Sequence, residues 1–135
     1  MDDLETPLAA HGGVLSAVSA ARIGVTSDDV SRWCRSGRLV RVRRGAFVDC
    51  RIYAGAGIDE RYRLNVRAVL AGRAPDDLAS HHAALALRSL PLWRVNLRRI
   101  DVLADVSSDF SVSGVWFHPL SGLTGDPTFL LRRSR

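Results

Sequence analysis

The chain has 135 residues, of which 47% are hydrophobic and 24% are charged. This balance is close to that of soluble globular domains and excludes a disordered chain, a collagen-like repeat and a coiled coil. No apolar run approaches the roughly 18 residues that a membrane-crossing helix needs, and the acidic N-terminus lacks the features of a secretory signal. We therefore expect a cytoplasmic protein of one or two small domains that does not bind membranes.

Positive charge is unevenly distributed along the chain. All 19 basic residues are Arg, and they outnumber 14 acidic residues, which gives a formal net charge of +5. A GC-rich genome would favour Arg, but the guanidinium group also suits phosphate and guanine because it donates paired hydrogen bonds. The segment from Arg32 to Arg51 contains seven Arg residues and one acid, Asp49. This clustering favours an anion-binding surface over a uniform bias in composition.

The first third of the chain predicts three short helices, each followed by glycine. Glycine readily adopts the left-handed conformation that ends a helix. Ser16 is a good N-cap for the second helix, and Thr26 or Ser27 for the third. The expected helices are Leu4–Ala10, 17–23 and 27–36.

The third helix has an apolar face and a basic face. Val30, Trp33 and Cys34 are spaced i, i+3 and i+4, so they share the face expected to be buried. Two short helices joined by a turn containing glycine, the second with a basic outer face, are typical of a helix-turn-helix that reads the major groove of DNA. An ordinary helical hairpin with a solvated surface is the alternative. The predicted contacts to bases and phosphates are Ser27, Ser31, Arg32 and Arg35.

A basic β-hairpin is predicted directly after this helix. Val40 and Val42 alternate with arginines, as in a half-buried strand, and Gly45 permits a tight turn before a second strand at Ala46–Val48. A hairpin in this position is typical of a winged helix, and its tip can place Arg against phosphates or in a narrow minor groove. The predicted DNA contacts here are Arg38, Arg41, Arg43 and Arg44.

Three segments resemble the N-terminal domain of AbiEi-type antitoxins, a family common in actinobacteria: His11–Ser16, Gly24–Ser27 and Ser36–Val48. Members of this family belong to type IV toxin–antitoxin systems. The resemblance implies a DNA-binding domain that represses its own operon, with a nucleotidyltransferase toxin as a possible partner. Residues 80–91 are also similar to the second region of the family. Because family members usually continue farther, the chain is interpreted as a shortened paralogue, a fragment or a stand-alone regulator.

The rest of the chain predicts a small α+β module. Residues 50–57 lack periodicity and are interpreted as a linker or a loop, and the last 15 residues as a loop. The apolar stripe Tyr62, Val66, Val69 and Leu70 indicates a helix. The expected elements are helices at 59–71 and 81–88 and strands at 99–104 and 112–118, the two strands being joined as a hairpin through 105–111.

No residues stand out as a catalytic or metal-binding set. His81 and His82 are adjacent, and neighbouring helical side chains point about 100° apart, so they are not the i, i+4 pair of a helical metal site. His118 has no partner that the sequence predicts. No serine lies in the turn that presents a nucleophile, and Cys34 and Cys50 lack zinc-ligand spacing. We therefore expect no enzyme, no metal and no cofactor.

The sequence thus predicts an α+β fold in two domains. Residues 1–50 form a winged helix-turn-helix that binds double-stranded DNA as a sequence-specific, autoregulating repressor. Residues 58–135 form an α+β module with a β-hairpin that serves dimerisation or partner binding. Two alternatives stay open: a module that neutralises a nucleotidyltransferase toxin, or an accessory domain of a nuclease that lacks its catalytic part. The expected core of the first domain is Leu15, Val18, Ile23, Val25, Val30, Trp33, Leu39, Val40, Val42, Phe47 and Val48.

Overall fold

The first part of the chain folds as a winged helix-turn-helix. The structure, a computed structural model, describes residues 4–74, 76–90, 92, 96–120 and 131–132. The elements of this part are α1 Glu5–Ala10, β1 Val14–Ser16, α2 Ala17–Arg22, α3 Ser27–Arg35, β2 Leu39–Arg43 and β3 Ala46–Asp49. The three strands form an antiparallel sheet in the order β1-β3-β2.

Short-range sequence signals set the ends of α2 and α3. Ser16 and Thr26 are the N-caps, and each accepts a hydrogen bond from the backbone N–H three residues later, at 2.9 and 3.1 Å. Gly24 and Gly37 follow the two helices with φ of +83° and +80°, a conformation that costs a residue with a side chain more than it costs glycine. The predicted helices and hairpin are confirmed, with ends shifted by one residue.

The three-stranded sheet is buried on both faces. Side chains alternate along a strand, so the paired residues Leu15 and Phe47 face α1, α2 and α3 and join their small core. The paired residues Val14 and Val48 point the opposite way and belong to a second, larger core. Two-sided packing is the reason why every residue of β3 is buried.

The second part adds three helices and a five-stranded sheet, which confirms the α+β fold class. The elements are α4 Cys50–Ala54, α5 Ile58–Ala71, β4 Leu78–Ser80, α6 His81–Leu87, β5 Ile100–Ala104, β6 Phe110–Val112, β7 Val115–Pro119 and β8 Leu131–Arg132. The strand order is β6-β7-β5-β4-β8, and β5 and β7 run parallel. Among the described residues, no helix has the length and apolarity that crossing a membrane requires.

Helix α5 connects the two parts. It packs against β1 and β3 of the first sheet and against α6 of the second part. The larger core therefore combines Val14 and Val48 with α5, α6 and the second sheet. The division into domains at 1–50 and 58–135 stays a prediction, although the two segments share this core. The buried side chains of α5 are Tyr62, Leu64, Val66, Ala68, Val69 and Leu70.

Two predictions about connections are wrong. Residues 50–54 form α4 and not a linker, because the Asp49 side chain caps the helix by accepting a hydrogen bond from the Arg51 N–H at 2.9 Å. The predicted strand 112–118 is interrupted by Ser113 and Gly114, both at positive φ, as a two-residue hairpin turn requires. The hairpin is therefore formed by β6 and β7, while β5 pairs with β7 in parallel.

Three smaller differences concern exposure and the chain end. Val18 and Ile23, expected in the core, are 46% and 59% exposed, because α2 buries only Ala20. Within the last 15 residues, Leu131–Arg132 pairs with β4 as a strand. The other residues of that predicted loop lie outside the described part of the chain.

Candidate nucleic-acid interface

A groove of about 710 Å³ separates α3 from the β2–β3 hairpin. Ser27, Ser31 and Arg35 line its helical side, since residues four apart lie on one face of a helix. Arg41 and Arg44 line the opposite side, from β2 and the turn of the hairpin. The structure thus places five of the eight predicted contact residues around one groove.

The charge in this groove is positive. Arg35, Arg41 and Arg44 are exposed, and none of the three forms an ion pair with another residue in the described part of the chain. None of the described residues that line the groove is acidic. Three guanidinium groups are therefore available to an incoming anion.

The floor of the groove is mostly apolar. It includes Ala20, Val30 and Phe47, which belong to the small core. Cys34 also lines the groove; burial raises the pKa of its thiol, against a smaller lowering by Arg41. The thiol is therefore neutral at physiological pH, and the guanidinium groups dominate the electrostatics.

Arg32 and Arg38 carry ion pairs outside this groove. Arg32 donates to Asp29 at 3.0 Å, and Arg38 donates to Glu5 at 2.9 Å. Hydrogen bonds from the backbone and side chain of Thr26 are the main reason that the pKa of Asp29 is lowered. A carboxylate that stays ionised in this way offsets the charge of Arg32.

Arg43 points toward the second part of the chain. Its guanidinium donates to the carbonyl of Arg98 at 2.8 Å and to the carbonyl of Val42 at 3.1 Å. Arg43 also lines a separate cleft between the β2–β3 hairpin and the β6–β7 hairpin, together with Val112 and Phe117. Of the predicted contacts, Arg32, Arg38 and Arg43 therefore lie apart from the other five. DNA contact stays a prediction for the five residues that line the groove, whereas the partners of the other three favour a different role for them.

A second cluster, which we call the His–Asp–His cluster, joins residues that are remote in sequence. The sequence predicts no helical metal pair for the adjacent His81 and His82 and no partner for His118. In the structure, His81, Asp101 and His118 bring one potential ligand atom each within 4.8 Å of the others. The signal in the sequence was a single Asp within the apolar segment Ile100–Ala104, because a carboxylate in a segment expected to be buried needs a partner.

The comparisons with known proteins concern the segment that contains the groove. Residues 3–48 match the family model described as transcriptional regulator, AbiEi antitoxin. The resemblance to AbiEi antitoxins is thereby confirmed for this segment. The match runs from before α1 into β3 and includes all eight predicted contact residues. No curated protein matches the chain.

Proposed function

We propose that the protein binds double-stranded DNA through the groove between α3 and the β2–β3 hairpin, and that it represses transcription of its own operon. One observation carries the proposal: Arg35, Arg41 and Arg44 surround one groove, and no acidic side chain among the described residues lines it. The match of residues 3–48 to a family of transcriptional regulators supports the same function.

The arrangement fits the way in which winged helices dock on DNA. In a helix-turn-helix the second helix lies in the major groove, with its N-terminal residues at the base edges. Ser27 is the first residue of α3, and Ser31 and Arg35, the last residue of the helix, lie on the same face. We assign base contacts to this face, since Arg can bond guanine and serine can bond several bases.

The hairpin side of the groove suits the sugar–phosphate backbone. Arg41 and Arg44 are exposed there, and a mobile guanidinium group is well placed to neutralise a phosphate. Contacts of this kind position a protein on DNA but carry little sequence information. We therefore expect Arg35 to affect specificity and Arg44 to affect overall affinity.

We assign no catalytic activity to the protein and propose that residues 58–135 serve dimerisation or partner binding. The support for a regulatory protein is the family match, which describes transcriptional regulators. A nucleotidyltransferase toxin is the partner that the resemblance to AbiEi antitoxins implies. Co-purification of the full chain with the product of a neighbouring nucleotidyltransferase gene tests that part of the proposal.

The DNA-binding proposal is tested by fluorescence anisotropy of the full chain with the duplex upstream of its own gene and with a scrambled duplex. Arg35→Ala is expected to lose about 1–3 kcal/mol on the specific duplex and to relax the preference between the two. Arg44→Ala is expected to weaken both duplexes evenly, because it removes a phosphate contact.

Arg32→Ala is the matched control, because Arg32 lies on the same helix and is also exposed but is paired with Asp29 outside the groove. It is expected to bind both duplexes nearly as the unmodified chain does. The groove assignment is wrong if Arg32→Ala loses as much affinity as Arg35→Ala. The DNA-binding proposal is wrong if the unmodified chain binds neither duplex.

A further inference from the structure

The His–Asp–His cluster joins two interior strands of the second sheet, β5 and β7, to the start of α6. The His118 Nε2 atom is 2.8 Å from Asp101 Oδ1, and the rings of His81 and His118 have centroids 5.5 Å apart. Asp101 is almost fully buried, His118 is half-buried and His81 is exposed. The cluster therefore has a buried base and one side open to solvent.

Rigid elements hold the three side chains. Asp101 is in β5, which lies between β4 and β7 in the sheet, and His118 is in β7. His81 is the first residue of α6, directly after Ser80, which is in register with Asp101. The backbone of His81 is left-handed, with φ of +55°, a conformation that costs a non-glycine residue free energy and recurs at binding sites.

Further side chains orient the two imidazoles. The Ser80 hydroxyl lies 3.0 Å from His81 Nδ1, so Nε2 is the nitrogen of that ring without a hydrogen-bond partner among the described residues. The Asp109 carboxylate lies 3.5 Å from His118 Nδ1, on the opposite side of the ring from Asp101. Metal-bound histidines commonly show this pattern, in which the second ring nitrogen is held by a carboxylate or another polar group.

We propose that His81, Asp101 and His118 bind a divalent first-row transition metal ion, with zinc as the best match. Two imidazole nitrogens and one carboxylate oxygen form a donor set that zinc accepts. Bonds of about 2.0–2.2 Å place the ligands of a tetrahedral zinc about 3.3 Å apart. The three ligand atoms are up to 4.8 Å apart. This distance shortens to about 3.3 Å when the exposed His81 ring turns toward Asp101 and His118.

The cluster is open to solvent on the side of His81. Three protein ligands leave the fourth position of a tetrahedral ion to water or to a ligand from solution. No step of the DNA-binding function depends on this ion, so the inference stands independently of the proposed function.

Arg99 competes with the metal for the same carboxylate. Its Nη2 atom lies 2.9 Å from Asp101 Oδ1 and its Nε atom 3.0 Å from the same oxygen. A guanidinium charge at this distance repels a metal cation, so the affinity is expected to be lower than that of closed structural zinc sites. If the cluster is only an ion network among Arg99, Asp101 and His118, it binds no metal.

The experiment is calorimetric titration of ZnCl2 into the full chain, freed of metal with a chelator, in the absence of DNA. Binding of one ion per chain is expected, together with a rise in the melting temperature in the presence of zinc. His81→Asn is the main variant, because His81 is exposed and Asn tolerates the left-handed backbone better than most residues. It is expected to weaken zinc binding by at least roughly tenfold, the loss that even an outer-shell partner can cause.

His82→Gln is the matched control. His82 is the adjacent helical residue, but its Nε2 atom bonds the Arg99 carbonyl at 2.9 Å, away from the cluster, and Gln keeps a donor there. This variant is expected to bind zinc as the unmodified chain does, whereas Arg99→Gln is expected to bind it more tightly. Equal affinity of the unmodified chain and His81→Asn overturns the proposal, as does equal loss in His82→Gln.

Discussion

The number of Arg side chains that are available to phosphates decides how steeply DNA affinity falls with salt. Each neutralised phosphate contributes about −0.9 to the slope of log affinity against log salt concentration. If all seven Arg residues between positions 32 and 51 met phosphates, the slope would be about −6.3 for each bound protomer. The structure leads to a smaller value.

Three of these seven arginines form ion pairs with carboxylates. Arg32, Arg38 and Arg51 are paired with Asp29, Glu5 and Asp49, at 2.9–3.4 Å. A fourth, Arg43, donates to a backbone carbonyl in the second part of the chain. Only the three that line the groove are left: Arg35, Arg41 and Arg44. Because Arg35 is assigned to a base edge, the two phosphate contacts of Arg41 and Arg44 give an expected slope of about −1.8 for each bound protomer.

The assay is fluorescence anisotropy of the full chain with its upstream duplex over a series of NaCl concentrations at constant pH. The triple variant Arg35→Ala, Arg41→Ala, Arg44→Ala is expected to reduce the slope to near zero along with the affinity. Arg32→Ala is expected to keep the slope of the unmodified chain. A slope near −6.3, or a triple variant that keeps the original slope, would refute the assignment of phosphate contacts to the groove.

Two further predictions concern stability and are measured by urea denaturation followed by circular dichroism. Tyr62→Phe is expected to cost about 1 kcal/mol, because the buried hydroxyl donates to the Arg99 carbonyl at 2.7 Å. Burial also raises the pKa of Tyr62 above its ordinary value of 10.0, so the folded protein is expected to lose stability as the pH rises above 10, and Tyr62→Phe to lose less. A chain that ends at Arg51 is expected to show no cooperative unfolding, because Val48 loses the packing of α5; a cooperative transition in that fragment would contradict the shared core.

The parts of the fold that the sequence predicts are those set by neighbours in the chain. The caps Ser16 and Thr26 and the glycines after α2 and α3 act within six residues, so their effect is visible in the sequence. The grouping of Ser31 with Arg35 on one face follows from helical periodicity alone. The pairing of Arg38 with Glu5 is different: it joins positions 33 residues apart, and no local pattern indicates it.

The missed elements depend on partners that are distant in sequence. Strands β1 and β4 have three residues each, too few for a periodic pattern, and they exist because β3 and β5 pair with them. The His–Asp–His cluster has the same origin, since β5 and β7 pair in parallel only after the β6–β7 turn reverses the chain. The sequence shows two histidines and an aspartate of suitable chemistry. Only the order of the strands in the sheet shows that they lie next to one another.

The groove depends both on residues that are close in sequence and on contacts with residues that are distant in sequence. Its arginines come from one continuous segment, yet the hairpin that carries Arg44 is held from several directions. Arg43 bonds the Arg98 carbonyl at 2.8 Å, Val48 packs in the core that includes α5, and the Gly45 carbonyl accepts a hydrogen bond from the Ala17 N–H at 2.9 Å. A hairpin fixed in this way loses less conformational freedom when it meets DNA than a free hairpin would, so more of the contact energy appears as affinity. The second part of the chain therefore contributes to the proposed function even where it touches no DNA.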